Sequence, residues 1–422
     1  MRLNKFILFG VVLYTNYAYA TPNFAREYGA DCTTCHTMIP TLNETGKGFL
    51  RNGFRFSKED TPTLKKIINP SKDESRPIPL AVMLSANYDT QKDDFQTKVK
   101  LYTGGTITQN LSFFGMTKEN FNGGNSDNQE LFSEESSKLY AQLNFDESHH
   151  VIRAGLISPL TQFGNIEKAS ADAGLKGHNS SGDKEGGNRN HSMQKYGQGN
   201  QGNGQGGNGG QGGRGNQQKG KNSNHYKTPL QNASIGNIKG VEYSYLANNR
   251  LMALLSYGES IDKSNQGNSH GNSSQNQQTI IEDDSDDYQF MGGVQYKTDS
   301  GYYLSLIYNQ YKKKGQENFS MLLPIEKSFD KFQLVSTLIY RDETDQEKEY
   351  YGMENALIYS LSSSDYIRGI VDIGREDSED SYGLSLTYSK AYKYLLFHLT
   401  GATKSTEDED EELVLGSVSL LF

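Results

Sequence analysis

Cys32-Thr33-Thr34-Cys35-His36 is the run of residues in this chain whose types and spacing could do chemistry. C-x-x-C-H is the spacing that covalent attachment of a c-type haem requires, with one thiol for each vinyl group and an adjacent imidazole for the iron. The chain has 2 cysteines in 422 residues, and both lie here. A disulfide between them would close a very tight loop and remove little chain entropy. A thioredoxin-type redox pair would sit in a βαβ context that the flanking residues do not offer. The spacing therefore predicts one covalently bound haem c on Cys32 and Cys35.

A short helix is expected to follow this pair. Thr41-Leu42-Asn43-Glu44 reads as a capping box just after Pro40, and Asn52-Gly53 reads as the helix end. Leu42, Thr45, Phe49 and Asn52 then share one side, which makes Leu42 and Phe49 the expected haem-packing residues. Some fifty residues can hardly enclose a haem alone, so the segment is expected to dock at or inside another structure and use its walls.

The first twenty residues carry Arg2 and Lys5, an apolar run from Phe6 to Tyr14, and Ala18-Tyr19-Ala20. That is the layout of an export signal over 1–20, with the mature chain starting at Thr21. The apolar run is too short to span a bilayer as a helix. The haem would then face an oxidising compartment.

Composition points away from a soluble enzyme: 34% hydrophobic residues, 44 Gly and 27 Tyr, with no Trp. From about residue 77 the chain runs in short alternating stretches parted by turn residues, the pattern of an outer-membrane β-barrel. Tyr382, Leu384, Leu386 and Tyr388 alternate with Gly383, Ser385, Thr387 and Ser389. Leu139, Ala141, Leu143 and Phe145 alternate with Tyr140, Gln142 and Asn144, and Val241, Tyr243, Tyr245 and Ala247 with Glu242 and Ser244. Tight connections fall at Gln109-Asn110, 146–148, Asn248-Asn249, 299–301, 327–330, 362–364 and 390–392, with longer polar ones between them. Sixteen strands follow, near 78–89, 96–108, 111–118, 137–146, 149–158, 238–247, 250–258, 287–298, 301–312, 317–326, 331–341, 349–361, 365–375, 381–390, 393–404 and 411–422. The strand at 317–326 rests partly on parity, since an even number returns both chain ends to one side and closure leaves no strand edge in lipid. The expected fold is mainly β: a 16-stranded antiparallel outer-membrane β-barrel over 77–422, preceded by a small α-helical c-type haem segment over 21–76. The chain ends on an apolar strand with Phe422, a feature resembling the terminal aromatic of bacterial outer-membrane proteins.

The Gly, Asn and Gln tract from Lys176 to Lys227 has almost no apolar residues and reads as part of a disordered outer loop over about 165–235. His178, His191 and His225 within it read as ordinary polar residues, with a loose metal contact as the lesser alternative. The acidic runs at 282–287, 376–380 and 407–412 would attract hard cations or simply keep outer loops solvated. Arg153, Glu242, Arg368 and Asp372 are expected to face the lumen. A net charge of -9 excludes a nucleic-acid binder, which needs a basic face. Neither a Ser/His/Asp set nor a P-loop is present.

Phe24-Ala25-Arg26, the C-x-x-C-H run, Pro40, Leu42-Asn43, Gly46, Phe49 and Asn52-Gly53-Phe54, followed by a barrel of this length, resemble the fused monohaem cytochrome c-porins of bacterial outer membranes. The best-described members are iron oxidases, and the resemblance implies an electron-transfer protein of oxidoreductase type. It would take one electron from extracellular ferrous iron and pass it through the haem to a periplasmic cytochrome. By the same resemblance Cys32 and Cys35 hold the porphyrin and His36 is the proximal ligand, with no catalytic residue beyond the haem. The distal ligand is open: Met38 lies too near His36 in sequence, Met83 in the first strand is a lumen-side candidate, and a His or an open position is equally allowed. The alternatives are a haem conduit for another donor or acceptor, and a diffusion porin whose haem is structural. The resemblance sets the chain in the outer membrane, with its haem segment on the periplasmic side or within the barrel, and leaves its oligomeric state open.

Overall fold

A computed structural model describes residues 23–70, 77–89, 94–121, 137–166, 230, 233, 235–261, 287–313, 316–343, 348–376, 379–392, 395–406 and 410–421. The export signal, the Lys176 to Lys227 tract with its histidines, most of the acidic runs, the side chain of Met38 and Phe422 lie outside the described residues.

The order begins with α1 (Asn23–Tyr28), α2 (Cys32–Cys35), β1 (His36–Met38), β2 (Thr41–Leu42), α3 (Glu44–Arg51) and α4 (Thr63–Ile68). The barrel strands follow: β3 (Leu80–Asp89), β4 (Asp94–Thr106), β5 (Leu111–Phe121), β6 (Lys138–Phe145), β7 (His150–Ile157), β8 (Asn237–Ala247), β9 (Leu251–Ile261) and β10 (Tyr288–Lys297). They continue with β11 (Tyr302–Lys313), β12 (Gln316–Phe329), β13 (Phe332–Glu343), β14 (Lys348–Ser360), β15 (Asp365–Glu376), β16 (Glu379–Tyr392), β17 (Leu395–Thr406) and β18 (Asp410–Leu421). Each pairs antiparallel with its sequence neighbour, and β18 pairs with β3, so the sixteen strands close on themselves. The strand that parity asked for is β12, in full register with β13 from Phe319↔Asp342 to Phe329↔Phe332.

Alternation decides which face each side chain takes. On β16, Tyr382, Leu384, Leu386 and Tyr388 are 40–59% exposed, while Ser385, Thr387 and Ser389 are buried. Leu139 and Leu143 on β6, Val241 and Tyr243 on β8, and Leu255 and Tyr257 on β9 are likewise turned outward. A continuous belt of exposed Leu, Val and Tyr around a closed cylinder is a surface for lipid, because water would penalise so large an apolar area. Among the described residues no helix is long and apolar enough to cross a membrane.

The tight turns gather at one end, together with the start of β3 and the end of β18. Asp146, Glu147, Ser148, Asn248, Asn249 and Asp330 adopt positive φ there, a region that Asn and Asp tolerate better than most residues. At the opposite end the connection after β7 turns back. The 3-10 turn Pro159–Phe163 and residues 164–166 fold against the inner wall, with Leu160, Phe163 and Ile166 packed on Met252, Leu254, Met291, Ile307, Leu322 and Ile339. Leu230 and Ala233 join the same cluster. Both flanks of the stretch read from sequence as a disordered outer loop over about 165–235 are thus ordered inside the barrel, and residues 167–229 lie outside the described residues.

Candidate functional site

Residues 23–69 sit at the short-turn end and bond to side chains that face inward from the wall. Gln142 and Asn144 on β6 donate to the carbonyl of Arg51 at 3.0 and 2.6 Å. Arg51 itself donates to the His149 carbonyl at 3.2 Å. Asn23 donates to the Gly104 carbonyl at 3.1 Å, and the amide of Thr63 donates to the Thr106 hydroxyl at 2.7 Å. Arg26 reaches the carbonyl of Leu80. On the other side Glu44 accepts from Lys297 at 2.8 Å and from the Tyr303 hydroxyl. The expected docking against barrel walls is what these bonds describe.

An aromatic stack supplies the apolar part of the seat. Phe24 stacks on Phe54 at 4.9 Å between centroids, Phe49 meets Phe24 at 5.3 Å and Phe56 at 4.7 Å, and Phe54 continues to Phe114 on β5 at 5.6 Å. Cys35 packs against this group. Phe49, expected to pack on a haem, is buried among these rings, and Leu42 is buried beside it in sequence order on β2.

Local geometry around the cysteines comes from Asn43. The capping box read at Thr41 and Glu44 gives way to a different cap: Asn43 is the N-cap of α3, its side chain accepting from the Gly46 amide at 2.9 Å. The same side chain donates to the carbonyls of Thr33 and Thr34 at 3.1 Å each, tying α2 to α3. A residue that satisfies three backbone groups outcompetes a threonine that would satisfy one. Gly46 allows the helices to meet, since a methyl at that position would overlap the Cys35 carbonyl. Thr41 is left on β2, paired with β1, and its carbonyl lies 3.2 Å from Nδ1 of His36.

That contact fixes the imidazole. A carbonyl can only accept, so Nδ1 donates in this contact, and in the neutral imidazole the lone pair then lies on Nε2, the arrangement a metal-binding histidine uses. Cys32 and Cys35 occupy one helical turn as free thiols, and burial pushes both above their ordinary pKa, so they are protonated at neutral pH. Cys32 lies within electrostatic reach of Tyr366 on β15, and β1 packs against β14. Two thiols and an imidazole within five residues, beside an aromatic wall, fit a covalent haem. Among the described residues no group of three or more His, Cys, Asp or Glu is arranged to hold a bare metal ion.

Met83 faces the lumen from β3, where its sulfur accepts from the Tyr102 hydroxyl at 3.7 Å. Arg153 and Glu242 are inward and paired, and Arg368 and Asp372 are inward and buried. Residues that the sequence reading missed complete the seat. Asn165 donates to the Leu42 carbonyl at 2.7 Å and accepts from the Leu42 amide at 2.6 Å. Glu326 on β12 accepts from Asn165 at 2.9 Å, Gln333 at 2.9 Å and Lys47 at 2.8 Å. The available signal was the apolar trio Leu160, Phe163 and Ile166 just before a tract almost without apolar residues.

No protein-family model and no curated protein matches the chain. Solved structures similar in fold include a mutant of the Rh. blastica porin, with 12% identity over 81% of this chain and 99% of that one at a TM-score of 0.45. OmpT of Vibrio cholerae, in its trimer form, is 10% identical over 81% and 98% at 0.46. Salmonella typhi OmpF, in complex with daunomycin, is 9% identical over 81% and 97% at 0.46. At these values the likeness adds nothing to the topology already described: the chain is a closed barrel of sixteen antiparallel strands with a cysteine-bearing segment seated in one mouth.

Proposed function

We propose that the chain is an outer-membrane electron-transfer protein that carries one covalent haem c on its N-terminal segment and takes single electrons from extracellular ferrous iron to periplasmic carriers. The observation that carries this reading is the donor set of Cys32, Cys35 and His36 held inside a lipid-facing barrel, with His36 Nδ1 committed to Thr41. A bound haem supplies a metal centre that gains and loses one electron, which matches the one electron that ferrous iron gives up. Cys32 and Cys35 would hold the group, Nε2 of His36 would face its metal, and Leu42 and Phe49 would exclude water near it. Met83 would be the candidate for a second, sulfur ligand. No residue needs to act as acid, base or nucleophile. The short-turn end would be periplasmic, as in barrels with short inner turns and long outer loops, and a soluble periplasmic cytochrome would meet the segment there.

A haem-stained gel of membrane fractions, followed by a reduced-minus-oxidised spectrum on adding ferrous iron at neutral pH, tests this directly. Covalent haem that ferrous iron reduces supports it. Covalent haem that ferrous iron leaves oxidised removes the iron donor, and a polypeptide without covalent haem removes the whole reading.

A diffusion porin with a structural haem is the second reading, favoured by a lumen wall rich in Gln, Asn, Ser and Thr, such as Gln142, Asn144, Ser256, Thr387 and Thr400. Bilayer conductance separates the two. With residues 23–69 and the inward turn at 159–166 in the lumen, the electron-transfer reading expects small currents, and a porin passes a large steady one.

A further inference from the structure

We infer that Asn165, anchored by Glu326, is a positioning residue for His36: the inward-folded connection after β7 sets the imidazole through the Thr41-Leu42 strand. The inference rests on reading Cys32 to His36 as the haem site and adds a control that lies outside the segment.

The line of contacts is continuous. Glu326, 3% exposed, projects from β12 and accepts from both the backbone amide of Asn165 at 3.3 Å and its side-chain amide at 2.9 Å. Gln333 and Lys47 donate to the same carboxylate, so it is pinned from the wall and from α3 together. Asn165, fully buried, then bonds both backbone polar groups of Leu42, as a neighbouring strand would. Leu42 pairs with His36 across β1 and β2, and the carbonyl of the adjoining Thr41 accepts from His36 Nδ1. The backbone between the clamp and the imidazole is two residues of extended chain, with Thr41 itself fully buried.

Gly164 shows that the approach of Asn165 to Glu326 is tight. Its φ is 95°, a conformation suited to glycine, and a Cβ there would come within 2.6 Å of the Glu326 carboxylate. The inserted turn is therefore built to bring Asn165 in at this depth. A hydrogen bond from the outer nitrogen of a ligating histidine raises its basicity and fixes its ring orientation, so the partner of that bond tunes the metal. Loosening Leu42 loosens the Thr41 carbonyl, weakens the pull on the Nδ1 proton and makes His36 a poorer electron donor. The haem potential should then rise.

The experiment uses the full-length, haem-loaded protein in detergent and reads midpoint potential and the oxidised and reduced spectra. Asn165→Ala should keep covalent haem, because the thiols are untouched, while shifting the potential upward and changing the oxidised spectrum. Glu326→Gln keeps the shape but removes the charge that anchors Asn165, and should shift the potential in the same direction by less. Asn144→Ala is the comparator: it removes a bond from the wall to the segment at Arg51, away from His36, and should leave the potential where it was. If Asn165→Ala does not yield folded barrel, Glu326→Gln carries the test against the same comparator. Potentials unchanged in both variants, or shifted equally by Asn144→Ala, overturn the inference while leaving the haem reading intact. A wild-type chain without covalent haem overturns both, and the stained gel reveals that before any potential is measured.

Discussion

Arg153 and Glu242 face each other across β7 and β8, with 2.7 Å between Nε and Oε1, and both side chains are closed to solvent on the inner wall. The guanidinium also lies 5.1 Å from the Tyr140 ring centroid, so the pair joins three adjacent strands at the place where the aromatic seat begins. Glu242→Ala leaves a buried cation without its partner and should cost about 3–5 kcal/mol of barrel stability. Replacing both residues with Met and Leu should restore most of that loss. Urea titration of the folded barrel in detergent, followed by its gel mobility shift, measures both.

On the proposed haem reading, Cys32→Ser with Cys35→Ser should abolish covalent haem and leave the barrel folded, since neither thiol contributes to the wall. The check is the mass of the exported polypeptide, which should fall by one haem, alongside unchanged heat-modifiable migration. Loss of the barrel itself would contradict the separation of seat and cylinder described above.

Phe49→Ala removes the ring at the centre of the segment's stack, where it touches Phe24, Tyr28 and Phe56. A buried Phe truncated to Ala costs about 3–5 kcal/mol, here taken from the seating of residues 23–69 and not from the barrel. Limited proteolysis should cut within the segment far faster than in the wild type, with the strands still protected.

Glu27 accepts from the Thr63 hydroxyl at 2.8 Å and pairs with Lys66 at 3.5 Å, yet burial outweighs both and pushes its carboxyl above the ordinary value. A carboxyl raised in the folded state binds its proton more tightly there than in the released chain. Its contribution is therefore full below the ordinary carboxylate pKa and is lost as pH rises through the raised value. Proteolytic release of α1 and α4 should accelerate from mildly acidic to neutral pH, and Glu27→Gln should flatten that dependence. An unchanged pH profile in the variant would exclude Glu27 as its source.

The barrel was legible in the sequence because its rule is local. Lipid on one side and lumen on the other force a period of two, and Leu384, Ser385, Leu386 and Thr387 display it within four residues. The turns were legible for a similar reason, since Asn248-Asn249 and 146–148 hold residues that accept positive φ. Even β12, interrupted by Pro324, keeps Leu323 and Ile325 outward and Leu322 and Glu326 inward. That Cys32, Cys35 and His36 lie together was equally readable, since they share one stretch five residues long. Their support was not. Asn165 and Glu326 are 161 residues apart, and neither carries a pattern that announces the other. Thr41 misled because a capping box is a sequence pattern, whereas the winning cap, Asn43, draws on the carbonyls of Thr33 and Thr34 that only the folded segment brings near.

The cylinder's seam joins β3 to β18, the earliest and the latest strands of the wall. No shorter piece of the chain can complete the ring, because the last partner for Leu84 is Leu420. A chain that lacks β18 therefore leaves that edge of β3 without its ladder of backbone partners, and the cysteine-bearing segment that leads into β3 is walled in on that side only once the last strand has docked.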